Sequence, residues 1–82
     1  MNNKRLKAIA DITEKLGVLL NELETLQSDE QDSYDNMPEH FQESEMGERS
    51  SAASAALEEA VGSLEDAIGN LESTIGVLEQ IE

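Results

Sequence analysis

The residues that could do chemistry are concentrated in the middle of the chain. Asp29, Glu30, Asp32 and Asp35 offer the hard oxygen ligands that Ca²⁺ and Mg²⁺ prefer, and His40 is the one histidine. A calcium-binding loop needs acids at alternate positions, a central glycine and a closing glutamate, and this stretch lacks that order. A lone histidine without any cysteine does not make a zinc site. We therefore expect no metal site and no cofactor.

Motifs of common catalytic centres are also missing. The sequence contains no phosphate-binding loop, no GxSxG nucleophile elbow and no Cys/His arrangement. Its many carboxylates recur along helical faces, where they usually form a solvated surface. Acid–base catalysis instead needs a concave, partly desolvated site. We expect that the protein is not an enzyme.

Composition restricts the class of partner. The 82 residues include 19 acidic and 5 basic side chains, for a net charge of −14. This charge disfavours binding to nucleic acid and to anionic membranes, and it favours basic protein surfaces. It can also serve solubility alone, and both interpretations are open. No apolar run reaches the ~20 residues that cross a bilayer, and no signal peptide is evident, so a cytoplasmic location is expected.

Two heptad patterns predict the elements that must position these residues. In the C-terminal half, apolar residues alternate in steps of three and four, which is typical of a helical seam. This seam comprises Leu57, Val61, Leu64, Ile68, Leu71, Ile75 and Leu78. The N-terminal seam comprises Ile9, Ile12, Leu16, Leu19, Leu23 and Leu26, widened on one flank by Leu6 and Leu20. We predict one helix over about residues 3–30 and another over about residues 48–82, within a single domain of residues 1–82.

Residues 31–47 are predicted to connect the two helices. Pro38 suits the first turn of a helix and disfavours helical geometry before it, so a short helical turn is expected from Pro38 to Glu43. Ser44 is a suitable N-cap for the second long helix. A short connector between two helices with apolar stripes favours an antiparallel hairpin, which would bring the basic residues near the N-terminus beside the acidic end of the second helix.

A hairpin of two helices cannot bury both seams fully. A chain of this size needs additional stabilisation, and without cysteine it cannot come from disulfides. The predicted fold class is therefore all-α, an antiparallel helical hairpin with heptad seams that dimerises into a four-helix bundle or coiled coil. A homodimer or a higher homo-oligomer is expected, with the thirteen seam residues at its interface.

Three glycines recur in the second helix. Gly62, Gly69 and Gly76 are spaced by seven residues and lie beside glutamates, away from the seam. Either they form a smooth groove for another backbone, or they are exposed positions that cost ~1 kcal/mol each relative to alanine. A close contact of the GxxxG type spaces its glycines four residues apart, which favours the exposed interpretation.

The connector is the candidate partner-binding segment. It holds the only Pro, Tyr and Phe of the chain among many acids. These apolar side chains either close the end of the hairpin core or form a protein-binding knob. For the knob, the predicted partner-binding residues are Tyr34, Asp35, Asn36, Met37, Pro38, Glu39, Phe41, Gln42, Glu45 and Glu48.

This segment also resembles a known signature. The stretch YDNMPEHFQESEMGE, residues 34–48, is similar to the FDNMPE…LQ.SE.GE pattern of small acidic helical proteins encoded by phages and prophages. The stretch LEEAVGSLEDAIGNLES resembles the LEEAIDNLE of their C-terminal helices, so the similarity covers about residues 28–82. Aspartate is common in those proteins at the positions of Gly62 and Gly69, which implies that both face solvent. The resemblance implies a phage accessory role and no particular chemistry.

Two functions from different classes fit these observations. The first is a non-enzymatic acidic interaction module, a phage accessory protein that binds and inhibits a basic host defence protein by mimicking the charge of nucleic acid. The alternative is a structural or scaffolding homo-oligomer whose acidic surface serves only solubility. Binding of a small anionic ligand ranks below both, because it would need clustered basic residues.

Overall fold

The computed structural model describes residues 2–81, and helices account for nearly all of them. α1 spans Asn3–Asp35, α2 spans Glu39–Gln42 and α3 spans Glu45–Ile81. The long helices α1 and α3 run antiparallel as the arms of a hairpin with extents of 61 × 15 × 13 Å, and α2 lies in the connector. The prediction of an all-α helical hairpin is confirmed.

Both long helices extend further into the connector than predicted. α1 continues to Asp35 rather than to about residue 30, and α3 begins at Glu45 rather than at about residue 48. Nothing in residues 28–35 stops a helix, because the segment has neither glycine nor proline. The first strong restriction is the one that Pro38 places on Met37. The predicted end of the second helix, Glu82, lies outside the described residues.

The face of α3 that packs on α1 is the predicted C-terminal seam. All seven seam residues from Leu57 to Leu78 are half-buried, while most of their helical neighbours are exposed. The alternating spacing of three and four residues therefore predicted the packing face of α3 correctly. No described apolar side chain in the hairpin is buried, so each of these residues remains partly in contact with water.

The face of α1 that packs on α3 is rotated about the helix axis relative to the centre of the predicted N-terminal seam. Ile12, Leu19 and Leu26 are 52%, 51% and 58% exposed. The half-buried leucines and isoleucine are Leu6, Ile9, Leu16, Leu20 and Leu23, with Thr13 buried among them. The Thr13 hydroxyl donates to the Ile9 carbonyl at 3.0 Å, which satisfies it within its own helix and permits its burial.

In the described part of the chain, no ion pair joins α1 to α3. Among residues 2–81, the ion pair is that of Arg49 with Glu45 at 2.6 Å, one turn apart on α3 and well exposed. Within residues 2–81, Lys4, Arg5 and Lys7 make no such pair with α3. The expected proximity of opposite charges at this end gives no ion pair among those residues, and Glu82 lies outside them.

The repeated glycines border open space. A Cβ atom added at Gly17, Gly62, Gly69 or Gly76 would meet nothing within 4 Å outside the local helix backbone. Within the hairpin, none of these four positions serves the close approach of another backbone. The exposed interpretation fits the structure of the hairpin better than the groove.

Candidate functional site

The connector is a compact, hydrogen-bonded turn. The amide groups of Asn36 and Met37 donate to carbonyls of the last turn of α1, at 2.9 and 3.1 Å. Pro38 then precedes α2, and its carbonyl accepts hydrogen bonds from the amides of Phe41 at 2.9 Å and Gln42 at 3.1 Å. Proline suits this position, because the first turn of a helix leaves its amide groups without partners.

Gln42 ties α2 to the end of α1. Its side-chain Nε2 donates to the Tyr34 carbonyl at 2.9 Å, in a partly buried position. The Tyr34 carbonyl also accepts from the Met37 amide, so the Gln42 bond occupies its second lone pair and joins α2 to the last turn of α1. Gln42 was predicted as a partner-binding residue, and the structure gives it this internal bond.

Ser44 caps α3, at the position that the sequence indicates. Its Oγ accepts from the Gly47 amide at 3.4 Å, and its carbonyl accepts from the Glu48 amide at 3.0 Å. The Ser44 hydroxyl and amide also donate to the Phe41 carbonyl, which joins the cap to α2.

Gly47 is the glycine that the fold requires. It is buried, and a Cβ at this position would lie 2.3 Å from the Gln42 carbonyl oxygen and 2.4 Å from that of Phe41. Both atoms belong to the backbone, so neither can rotate away as a side chain could. The first turn of α3 thus packs directly on the end of α2. Sequence reasoning missed this role, although a glycine in the first turn after a capping serine is a signal for it.

A polar cluster joins the arms next to the connector. Ser54, only 2% exposed, accepts from Gln27 Nε2 at 3.4 Å and donates to Gln31 Oε1 at 2.7 Å. Ser50 donates to Glu30 Oε1 at 2.9 Å. We call Gln27, Glu30, Gln31, Ser50 and Ser54 the polar clamp. Among the described residues, no buried side-chain nitrogen or oxygen lacks a partner.

The polar clamp explains how the hairpin closes where its apolar seams end. Serine is small, so α1 and α3 can approach closely at this level. The hydroxyl groups of Ser50 and Ser54 remain hydrogen-bonded there. Apolar periodicity does not indicate these contacts, because the residues of the polar clamp are polar. The signals were a run of small residues, SSAASAA from Ser50 to Ala56, and two glutamines four residues apart on α1.

An open groove lies beside the clamp at the connector end. Met37 and Met46 line it together with Glu30, Arg49 and Ser50. Met37 is half-buried, whereas Met46 is 65% exposed. Met37 is among the predicted partner-binding residues, whereas Met46 is not.

The predicted partner-binding residues occupy one end of the hairpin in different environments. Tyr34, like Met37, is half-buried and helps to cover this end. Phe41 is 48% exposed, and its ring lies against His40 with the ring centroids 4.3 Å apart. The exposed members of the set are Asp35, Asn36, Pro38, Glu39, Glu45 and Glu48. The result is a partly apolar surface edged by carboxylates.

The described part of the chain offers no evident metal centre. No three Asp, Glu or His side chains within residues 2–81 come together so that they could hold an ion. In the same range, no helix combines the length and the apolar character that crossing a membrane requires.

Comparisons of the chain with protein-family models, with curated proteins and with solved structures find no match. A relation to phage proteins is therefore a proposal that depends only on the resemblance described above.

Proposed function

We propose that the protein is a non-enzymatic, acidic interaction protein that self-associates through its helices and binds a basic protein partner at its connector end. The observation that carries the proposal is the surface around Met37, Phe41 and Met46. Exposed apolar atoms there are surrounded by carboxylates and held on a hydrogen-bonded turn. An apolar centre with a polar edge is the usual composition of a protein interface.

The chemistry of this surface suggests how a partner would bind. An apolar side chain of the partner would contact the two methionines, whose flexible thioethers adapt to different shapes. Lysine or arginine around that anchor would face Glu39, Glu45 and Glu48. Opposite charges at the edge of an interface mainly accelerate association and select the partner, so binding should weaken as salt increases.

The resemblance to phage proteins extends the proposal to a host defence protein as the partner. Its support in the structure is charge density. A net charge of −14 on a hairpin 61 Å long gives about one charge per 4 Å. Duplex DNA carries one per ~1.7 Å. A fully overlapped dimer would reach about one per 2 Å, so mimicry of nucleic acid in a basic channel requires the dimer.

Affinity capture from bacterial lysate at low salt tests this function. We expect salt-eluted basic proteins on the wild-type column and a loss of capture with Phe41→Ser and Met46→Ser. The matched control is Val77→Ser, because Val77 is 57% exposed on α3 far from the connector in sequence and along the helix. Equal capture by all variants would place binding elsewhere, and an empty wild-type column would refute a basic partner.

The second candidate is a structural homo-oligomer whose acids only keep it soluble. It is favoured by the absence of any buried apolar side chain among the described residues, since association would cover apolar side chains that are exposed in the single hairpin. Light scattering distinguishes the two functions when it is combined with the capture experiment. An oligomer that captures no basic protein supports the structural role, and a monomer at high concentration contradicts it.

A further inference from the structure

An apolar stripe on α1 remains exposed in the described part of the hairpin. Ile12, Leu19 and Leu26 follow one another at intervals of seven residues, and all three are more than half exposed. We call these residues the α1 stripe. At 100° per residue, the stripe lies about a quarter turn around α1 from the face that packs on α3. It therefore points to the side of the hairpin.

The same side of the hairpin carries small residues on α3. Ala60, Ala67 and Thr74 are exposed and lie about a quarter turn from the α3 seam. α1 and α3 are right-handed helices that run antiparallel. A quarter turn in the same rotational sense, viewed along each helix from its N-terminus, therefore leads from each packing face to the same side of the hairpin. The α3 glutamates at positions 58, 65 and 72 lie on the other flank, and so do the repeated glycines.

We propose that this side binds a second copy of the chain, with the two α1 helices antiparallel and a two-fold axis at Leu19. The four helices then form a bundle in which α1 contacts α1 and α3 contacts α3. This inference names the surface and the orientation of the self-association included in the proposed function, and it rests on that function.

The position of the axis follows from the lengths and register of the helices. Leu19 is the midpoint of Asn3–Asp35, so an axis there overlaps the two α1 helices along their whole length. The polar clamp places Ser54 level with residue 29, the middle of Gln27–Gln31. Both helices rise 1.5 Å per residue, so Leu19 is level with about residue 64. The same axis thus brings Ala60 opposite the partner's Ala67.

Charge favours the antiparallel orientation. Lys15 and Glu22 lie on one flank of Leu19, one turn before it and one turn after it. The proposed axis brings Lys15 of each copy beside the partner's Glu22, whereas parallel helices would oppose like charges at both positions. The two unlike pairs form on the same exposed edge of the bundle.

The overall charge of α1 agrees with this orientation. Its bases are confined to residues 4–15, and residues 16–35 hold six acids and no base. This order opposes the helix dipole, which favours acids at the start of a helix and bases at its end. No described base near the start of α1 forms an ion pair with α3. Antiparallel α1 helices place each basic half beside an acidic half.

The available area is sufficient for a stable interface. A helix of 33 residues is ~50 Å long at 1.5 Å per residue, and with side chains it is ~10 Å wide. One face of α1 therefore offers roughly 500 Å² per copy before α3 contributes. The α1 faces of the two copies and the contribution of α3 together exceed the ~1,000 Å² expected of a specific protein interface.

Disulfide trapping tests the orientation, because the chain has no native cysteine. Under oxidising conditions Leu19→Cys should link to itself as a dimer. Ile12→Cys and Leu26→Cys should each remain unlinked alone and should link when mixed. In the proposed dimer, two copies of residue 12 lie ~21 Å apart along the axis, and a disulfide needs Cα atoms within ~7 Å. Self-linkage of Ile12→Cys would overturn the antiparallel assignment.

Charge reversal provides a second test on helical, uncross-linked protein. At low salt, Lys15→Glu should weaken the dimer about 10-fold, and Lys15→Glu combined with Glu22→Lys should restore it to within about 3-fold of wild type. The control Lys7→Glu makes the same change in net charge away from the stripe and should weaken the dimer less. Equal weakening by both single variants, or no restoration, would refute the pairing.

The outcomes also separate this inference from the function on which it rests. A wild-type dimer that fails both tests keeps self-association and rejects this surface. A wild-type monomer at high concentration rejects both. Capture of a basic protein by the connector is measured independently with the variants at Phe41 and Met46.

Discussion

Substitution of glycine by alanine should change the stability of the fold in opposite directions at two positions of α3. Gly47→Ala places a methyl group where the Gln42 and Phe41 carbonyl oxygens lie 2.3 and 2.4 Å from the new Cβ. Gly69→Ala places it in open space. Both changes remove a glycine from one helix, so they differ mainly in what the methyl group meets.

The expected magnitudes follow from this contrast. At Gly69, alanine should stabilise the helix by ~1 kcal/mol through propensity alone. At Gly47 that gain is offset by overpacking, which typically costs ~1–3 kcal/mol. Two backbone atoms must shift together, so we expect the upper end of that range and a net loss of ~2 kcal/mol. At ~4–8 °C per kcal/mol for a domain of this size, Tm should rise by ~4–8 °C in Gly69→Ala and fall by ~8–16 °C in Gly47→Ala.

Thermal unfolding followed by circular dichroism measures both effects. All variants must be compared at one protomer concentration, because association makes Tm depend on concentration. A Gly47→Ala variant as stable as wild type would contradict the close packing of α3 on α2. A destabilised Gly69→Ala would show that this position contacts another backbone in solution, and the groove interpretation of the repeated glycines would then be preferred.

Three further predictions concern the polar clamp, the connector and the net charge. Ser54→Ala should lower the free energy of unfolding in urea by ~1 kcal/mol, because two hydrogen bonds are lost, whereas the exposed control Ser63→Ala should leave it equal or higher. Gln42→Leu should cost ~1 kcal/mol through its lost bond to the Tyr34 carbonyl, and the exposed control Gln80→Leu should not; equal unfolding midpoints for these two variants would contradict that role. Raising salt to about 1 M shortens the Debye length to ~3 Å and should raise Tm by weakening the repulsion among acids, so an unchanged or lower Tm would refute a destabilising net charge.

The sequence predicted the parts of the fold that depend on periodicity. The seam from Leu57 to Leu78 identified the packing face of α3, because apolar residues at this spacing lie on one face of a helix. On α1 the apolar residues cover a wider arc, so periodicity could not decide between the face with Leu20 and the face with Leu19. Packing against α3 selected the first.

The connector shows the limit of that reasoning. Its capping serine was predictable from residue type, whereas the contact of Gly47 with α2 depends on the three-dimensional path of a turn. Likewise, Ser54 and Gln31 are distant in sequence and carry no apolar signal. Such contacts become visible only when the two helices are placed in register.

The position of the connector at one end of a hairpin 61 Å long has a consequence for valency. In the proposed antiparallel dimer, the two connectors lie at opposite ends of the rod. They could not both contact one small partner, so the assembly would bridge two partner molecules in a two-to-two complex. On a surface crowded with partner molecules, simultaneous engagement of both ends would slow release well beyond what a single connector achieves.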